Sequence, residues 1–240
     1  MSVDLFKKLL VEYYPELLSK EVLDKLAIYY QLLVEENSKY NLTAIRNTEE
    51  IVIKHFWDSL IYDHYLGIDK DEHLKIIDIG TGAGFPGLVL AILNPGSSFT
   101  LVDSINKKVN FIKLVVSSLD LKNVEALNIR SETLGQDSKY RQSYDLAVAR
   151  SVAYLPVLSE YLLPLVKVGG KMVLAKEVPF DEELSEASNA LSVLGGEFYS
   201  AHSYQLPRYN NMRALIFFNK TKPTPKAYPR REGLPKKKPL

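Results

Sequence analysis

The sequence predicts an α/β fold: an open, mostly parallel, doubly wound sheet of seven strands, preceded by a cap of helices. Three observations carry this expectation. Apolar residues within 1–67 recur at helical spacing. Beyond them, short β-branched runs alternate with helical patterns, as in successive βαβ units. The first of those runs ends in alternating glycines, which is how a strand turns tightly into a helix at a ligand-binding edge. In the leading segment, Val22, Leu23, Leu26, Tyr30, Leu33 and Val34 follow Ser19, an N-cap residue. A second helix starts after Asn47, which stands at capping-box spacing from Glu50. It lines up Ile51, Val52, His55, Phe56 and Leu60, and ends near Gly67. Leu74–Ile79 is then the first strand and Leu88–Leu93 a short apolar helix. Further strands are expected at Phe99–Val102, Val124–Leu127, Leu146–Ala149, Lys171–Ala175, Glu197–Tyr204 and Ala214–Phe218. Helices are expected at Lys107–Leu119, Leu155–Val166 and Glu182–Leu194. The chain thus divides into a helical cap (1–67), a core (68–221) and a tail (222–240).

Composition narrows the class. With 240 residues, 46% hydrophobic and 25% charged, the chain matches ordinary globular averages, which excludes a disordered or coiled-coil protein. Apolar stretches such as Leu88–Leu93 fall far short of the ~18 to 20 residues of a membrane span. Asp4, Lys7 and Lys8 interrupt the first apolar residues, so no secretory signal is visible. There is no cysteine, hence no disulfide, thiolate metal site or cysteine nucleophile. A cytoplasmic monomer is expected. The net charge of +1 conceals an asymmetry: Lys220 to Leu240 holds eight Lys or Arg against Glu232, a local +7, leaving −6 for the rest. Five of the twelve prolines also lie there. The segment is therefore expected to be extended, free of regular structure and dispensable to the core, a basic arm suited to phosphates.

The loop Asp78-Ile79-Gly80-Thr81-Gly82-Ala83-Gly84-Phe85-Pro86-Gly87 fits two cofactors. Gly82-x-Gly84-x-x-Gly87 satisfies the dinucleotide fingerprint, in which glycines admit a pyrophosphate at a helix N-terminus. Against that stands Asp78, whose carboxylate repels a pyrophosphate. S-adenosylmethionine carries cationic groups and no phosphate, so an acidic residue before the glycines favours it. Asp103, ending the second strand, suits ribose hydroxyls in either case.

Asn41-Leu42-Thr43, Lys54 to Ser59, Asp78 to Gly87, Val102-Asp103-Ser104 with Lys107-Lys108, and Ala149 to Ala153 together resemble the RsmG family of bacterial small-subunit ribosomal RNA methyltransferases, also called glucose-inhibited division protein B. Tyr228-Pro229-Arg230-Arg231, with Gly233 and Pro235, is similar to Gram-positive members. The resemblance implies a Rossmann-like class I methyltransferase that moves a methyl group from S-adenosylmethionine to N7 of a guanine in 16S ribosomal RNA. By the same resemblance Gly80, Phe85, Ser131, Glu132 and Arg150 contact the cofactor, beside Gly82 and Asp103 from the loop reading. Arg130, Lys176 and Arg213, with Arg230 and Arg231 in the tail, are the candidate RNA contacts. Ser131 departs from the Ala or Val of many members, with little consequence expected if that position acts through its backbone.

Guanine N7 has a lone pair and no proton, so its methylation requires no general base, only collinear positioning at about 3 Å. Cytosine C5 methylation needs a cysteine, which is absent, and Ala149-Arg150-Ser151-Val152 stands where exocyclic-amine enzymes commonly carry an Asn/Asp-Pro-Pro motif. Arg150 is the positioning candidate, suited to guanine O6 or a phosphate and expected to matter more to transfer than to folding. His55 and Asp58, one helical turn apart, are expected to hydrogen-bond and pin the cap rather than hold a metal. The pairs Tyr13-Tyr14 and Tyr29-Tyr30 read as half-buried core. The competing readings are an NAD-dependent oxidoreductase, a non-catalytic RNA-binding module and a small-molecule methyltransferase.

Overall fold

The computed structural model describes residues 2–14, 18–69, 71–150 and 153–240. Helix α1 (Val3–Tyr13), which the hydrophobic spacing did not reveal, begins at Ser2 and buries Phe6 and Leu10. Helix α2 (Lys20–Tyr40) starts at Ser19, whose Oγ accepts the Val22 amide at 3.2 Å, and ends at Asn41 in the left-handed region. Helix α3 (Thr48–Ile51) begins at Asn47, whose side chain accepts the Glu50 amide. The reciprocal half of the capping box is missing because Glu50 accepts from Lys54 and Tyr209 instead. The helix then widens into a π-helical turn, Val52–Trp57, and continues as α4 (Asp58–Leu66) to Gly67.

The alternating part follows as β1 (Lys75–Ile79), α5 (Gly87–Leu93), β2 (Ser98–Asp103), α6 (Asn106–Ser118), β3 (Val124–Asn128), α7 (Ser131–Gln136), β4 (Tyr144–Arg150) and α8 (Leu155–Leu162). It continues as β5 (Val166–Glu177), α9 (Asp181–Glu186), α10 (Ser188–Leu194), β6 (Gly196–Gln205) and β7 (Met212–Lys220). All seven predicted strands lie within these elements, apart from Leu74 at the start of the first. Two helices differ from expectation. Leu155–Val166 stops at Leu162 because Pro164 cannot continue a helix, and Val166 already belongs to β5. Glu182–Leu194 is two helices meeting at the buried Ala187.

The sheet order is β3-β2-β1-β4-β5-β7-β6, with β7 antiparallel to both neighbours. Period-2 alternation divides the strand residues between two cores. Ile76, Leu101, Val148, Val173, Leu215 and Phe217 join the cap helices, including Phe6, Tyr29 and Phe56. Ile77, Ala147, Leu174, Ile216 and Phe218 join α8 and α10 on the opposite face. The cap and one face of the sheet therefore share a single continuous core. Tyr29 and Tyr30 are fully buried in it.

The tail corrects its expectation. Residues after Lys220 do not run free; they fold back on the second face. Arg141 donates to the carbonyls of Thr224, Pro225 and Tyr228, and Gln136 to that of Pro229. Pro229 fills the space over Gly135, where a Cβ would lie 2.7 Å from Pro229 Cγ. Residues Leu234–Lys237 form a short helix, α11. Arg230 meets Glu160, which is 0% exposed, through its amide at 2.7 Å, Nε at 2.9 Å and Nη2 at 2.6 Å. The prolines remove donors but leave carbonyls, and a distant arginine gathers those carbonyls.

Removing Arg230 strands a buried carboxylate. Arg230→Ala should cost about 3 to 5 kcal/mol, whereas the exposed Arg231→Ala should stay within about 0.5 kcal/mol. Urea unfolding of both variants measures the difference, and equal midpoints would mean that the tail is not docked.

Candidate active site at the carboxyl edge of the sheet

Between β1 and α5 the chain spends its amide donors on itself. Gly80 and Thr81 donate to Val102 O at 2.8 and 3.0 Å, and Gly84 and Phe85 to Thr81 O at 2.9 and 3.0 Å. Gly82 donates to Asp103 Oδ2 at 3.0 Å and Gly87 to Asp78 Oδ2 at 2.9 Å. A pyrophosphate binds such a turn through free amides at the helix N-terminus. Here two carboxylates hold those positions, so the dinucleotide reading lacks its donors. Asp78 is fully buried and braces the loop rather than facing a ligand's cationic end, a correction to the charge argument made from sequence. Gly84 is likewise required by packing: at φ +101°, an added Cβ would lie 2.4 Å from Leu88 Cδ1 and 2.8 Å from the Tyr29 hydroxyl. That hydroxyl donates to Ala83 O at 2.6 Å, so the cap holds the loop from above.

Two adjoining clefts open at this edge. The first, of about 300 Å³, is lined by Gly80, Asp103, Ser131 and Glu132, together with Arg130, Tyr161 and Lys236. The second, of about 290 Å³, is lined by Gly80, Gly82, Phe85 and Arg150, with Thr43, His55 and Arg213. Gly80 and Lys108 border both. The cofactor candidates thus gather around one pair of cavities. Lys108, Tyr161, Lys236 and Thr43 are further lining residues; of these Lys108 and Thr43 had a sequence signal, in the Lys107-Lys108 and Asn41-Leu42-Thr43 motifs. Ser151 and Val152, beside Arg150, lie outside the described residues.

Beneath the second cleft lies Asp58, 0% exposed. Its carboxylate accepts from Arg150 Nη1 at 2.7 Å, Arg213 Nη1 at 2.8 Å and the Tyr204 hydroxyl at 2.7 Å. The π-helical turn adds acceptors, since Arg150 Nη1 also reaches the carbonyls of Lys54 at 3.3 Å and His55 at 3.4 Å. Below, the Tyr62 hydroxyl donates to Ala149 O at 2.8 Å and accepts from the Ala175 amide at 2.9 Å, tying β4 to β5. Arg150 is consequently bound into the structure as well as facing the cleft, so a folding role stands beside the larger role in transfer expected of it. His55 does not bond Asp58. It pairs through Nε2 with Thr43 Oγ1 at 2.9 Å and stacks on Phe85 at 4.7 Å. Burial, then the Arg150 charge, pushes the His55 imidazole down to about 3, so it is neutral at physiological pH.

Three candidate RNA contacts have other engagements. Arg213 is held by Asp58, Arg230 by Glu160, and Lys176 by Glu183 at 2.5 Å and Ala153 O at 2.9 Å. A sequence exposes basic residues to view but not the acids folded against them. Arg130 and Arg231 are exposed. The Ser131 Oγ donates to Glu132 Oε2 at 3.3 Å.

Burial pushes the Asp78 carboxyl up from 3.8 to about 6. The folded chain therefore holds this proton more tightly than the unfolded chain. The resulting stabilisation is complete below about pH 4 and is lost as pH rises through about 6. Relative to Asp78→Asn, the wild-type protein should lose stability between those values and run parallel above them. Urea midpoints across a pH series test this; curves parallel throughout would show an ordinary, solvated carboxylate.

Comparison with known proteins follows the same lines. The family model described as rRNA small subunit methyltransferase G matches residues 22–212. The ribosomal RNA small subunit methyltransferase G of Lactococcus lactis is 42% identical over 240 residues, covering 100% of both chains. That of Streptococcus pyogenes is 45% identical, covering 93% of this chain and 94% of its own. That of Desulforamulus reducens is 46% identical, covering 88% of each. Among solved structures, a SAM-dependent methyltransferase from Aquifex aeolicus superposes with a TM-score of 0.51 at 17% identity, covering 74% of this chain and 96% of its own. At that identity the likeness speaks for the fold, a Rossmann-like methyltransferase sheet with β7 reversed. Matched along most of its length by the model and along all of it by the Lactococcus protein, the chain belongs to the rRNA small subunit methyltransferase G family.

Proposed function

We propose that this chain methylates N7 of a guanine in the 16S RNA of the small ribosomal subunit, using S-adenosylmethionine. The observation that carries this reading is the loop whose amides are closed by Asp78 and Asp103, beside a cleft that also contains Glu132. The Gly80, Gly82 and Gly87 amides are bonded within the protein and so are not offered to a pyrophosphate, while Asp103 and Glu132 in the cleft are acceptors suited to the hydroxyls and cationic groups of a phosphate-free nucleoside. Gly80, Asp103, Ser131 and Glu132 would hold it. Bound there, S-adenosylmethionine supplies an electrophilic methyl group on a sulfonium.

The chain's own residues then have a positioning task. No proton leaves guanine N7, so no base is needed, and the neutral His55 serves as a stacking wall for Phe85 rather than a proton acceptor. Arg150, oriented by Asp58 and the π-turn carbonyls, borders the cleft that adjoins the cofactor pocket. A guanidinium there suits guanine O6, and its fixed orientation holds the base in line with the methyl carbon. Arg130 and Arg231, both exposed, remain as RNA phosphate contacts. This reading has the protein act in the cytoplasm as a monomer, and it leaves the small-molecule and oxidoreductase alternatives without a supporting observation.

The test incubates the full chain with methyl-labelled S-adenosylmethionine and either naked 16S RNA or small subunits from cells lacking the gene. One 7-methylguanosine per RNA is expected by mass spectrometry after nuclease digestion. Arg150→Lys keeps a cation for Asp58 but loses the guanidinium fork, and should lower kcat by roughly tenfold to a hundredfold, the range for one lost charged hydrogen bond. Absence of transfer to both substrates would overturn the proposal.

A further inference from the structure

One wall of the cofactor cleft comes from a part of the chain about a hundred residues away. Glu132 is 4% exposed and stands in the cleft, with Ser131 Oγ on its Oε2. Its other oxygen, Oε1, accepts the amide of Gly233 at 2.9 Å. Gly233 has φ +75°, a conformation natural to glycine, and it precedes α11, from which Lys236 reaches the lining of the same cleft. The Thr133 hydroxyl donates to Glu232 beside it. The Arg230–Glu160 pair and Pro229 over Gly135 seat this turn on α7 and α8.

We infer that residues 233–240 are a working part of the cofactor site: the Gly233 amide is a positioning group that fixes the Glu132 carboxylate toward a donor of the bound adenosyl group. The family model ends at residue 212, so this role lies outside the matched segment. It rests on the reading of the cleft as the S-adenosylmethionine site. A buried carboxylate that loses its backbone donor gains a rotameric choice and a desolvation cost, both of which weaken a ligand held by its oxygens. Because coupling between two sites is reciprocal, cofactor binding should in turn hold the tail.

A chain ending at Arg231 retains the Arg230–Glu160 pair and Pro229 over Gly135, and removes the Gly233 amide and Lys236 without leaving a terminal carboxylate in the place of that amide. Titration calorimetry should show S-adenosylmethionine binding weakened about tenfold, the size of one lost charge-assisted hydrogen bond. KM for S-adenosylmethionine should rise to match, with kcat at saturation and KM for RNA within twofold. In the full chain, S-adenosylmethionine should slow hydrogen exchange of the amides of Gly233, Leu234 and Lys236 to Lys238 severalfold. Failure of the full chain to bind the cofactor overturns the functional reading itself. Equal affinity with and without the tail overturns only the inference, as does a rise confined to KM for RNA. Should the shortened chain not fold, the exchange measurement decides alone: no slowing means that the tail is not coupled to the cleft.

Discussion

The burial of Asp58 is the constraint on which the cap, the sheet and the site all depend. A carboxylate with no solvent contact is tolerable only with cationic partners and good hydrogen bonds. Its partners come from three strands: Arg150 ends β4, Arg213 begins β7 and Tyr204 lies near the end of β6. The cap therefore has one electrically satisfied docking position on the sheet. That docking brings Tyr29 onto Ala83 and His55 onto Phe85, so the glycine loop and the second cleft acquire their shape from a charge that neither contains.

Much of this was legible in the sequence, and the reason is that it is local. The side chains of Ser19 and Asn47 cap helices because each finds an amide three residues on. The strands are legible because β-branched runs alternate with amphipathic helices. What stayed hidden is carried by pairs far apart in the chain, such as Arg230 with Glu160 or Arg213 with Asp58, where composition counts each charge but not its partner. The tail shows the cost of that blindness most clearly. Its prolines and lysines describe a free arm, while the anchors that deny it freedom are Gln136, Arg141 and Glu160. Within the site, Gly82 and Asp103 were legible from the glycine loop and the strand end, and the family resemblance supplied Gly80, Phe85, Ser131, Glu132 and Arg150. Tyr204, Tyr161 and Lys236 carry no local pattern that marks them.

The loop also shows how one arrangement of glycines serves two electrostatic ends. In a phosphate site the amides face outward and the helix N-terminus is left for the anion. Here Asp78 and Asp103 occupy the Gly87 and Gly82 amides from within, so those donors are withheld from the cleft. The spacing of the glycines fixes the backbone path; the acid at each strand end decides which of its amides are left for a ligand.

The π-helical turn has a consequence for how this sequence can vary in length. A π turn holds one residue more than an α turn, and each residue of an α-helix advances about 100° around the axis. The extra residue is taken up within the wide turn itself, so shortening 52–57 by a single residue would let the helix relax to regular winding with the phase on either side nearly kept. Leu60 and Asp58 would still face the interior, but the widened turn would be gone, and with it the approach of the Lys54 and His55 carbonyls to Arg150. A one-codon deletion here would therefore spare the packing of the cap and fall on the arginine it orients.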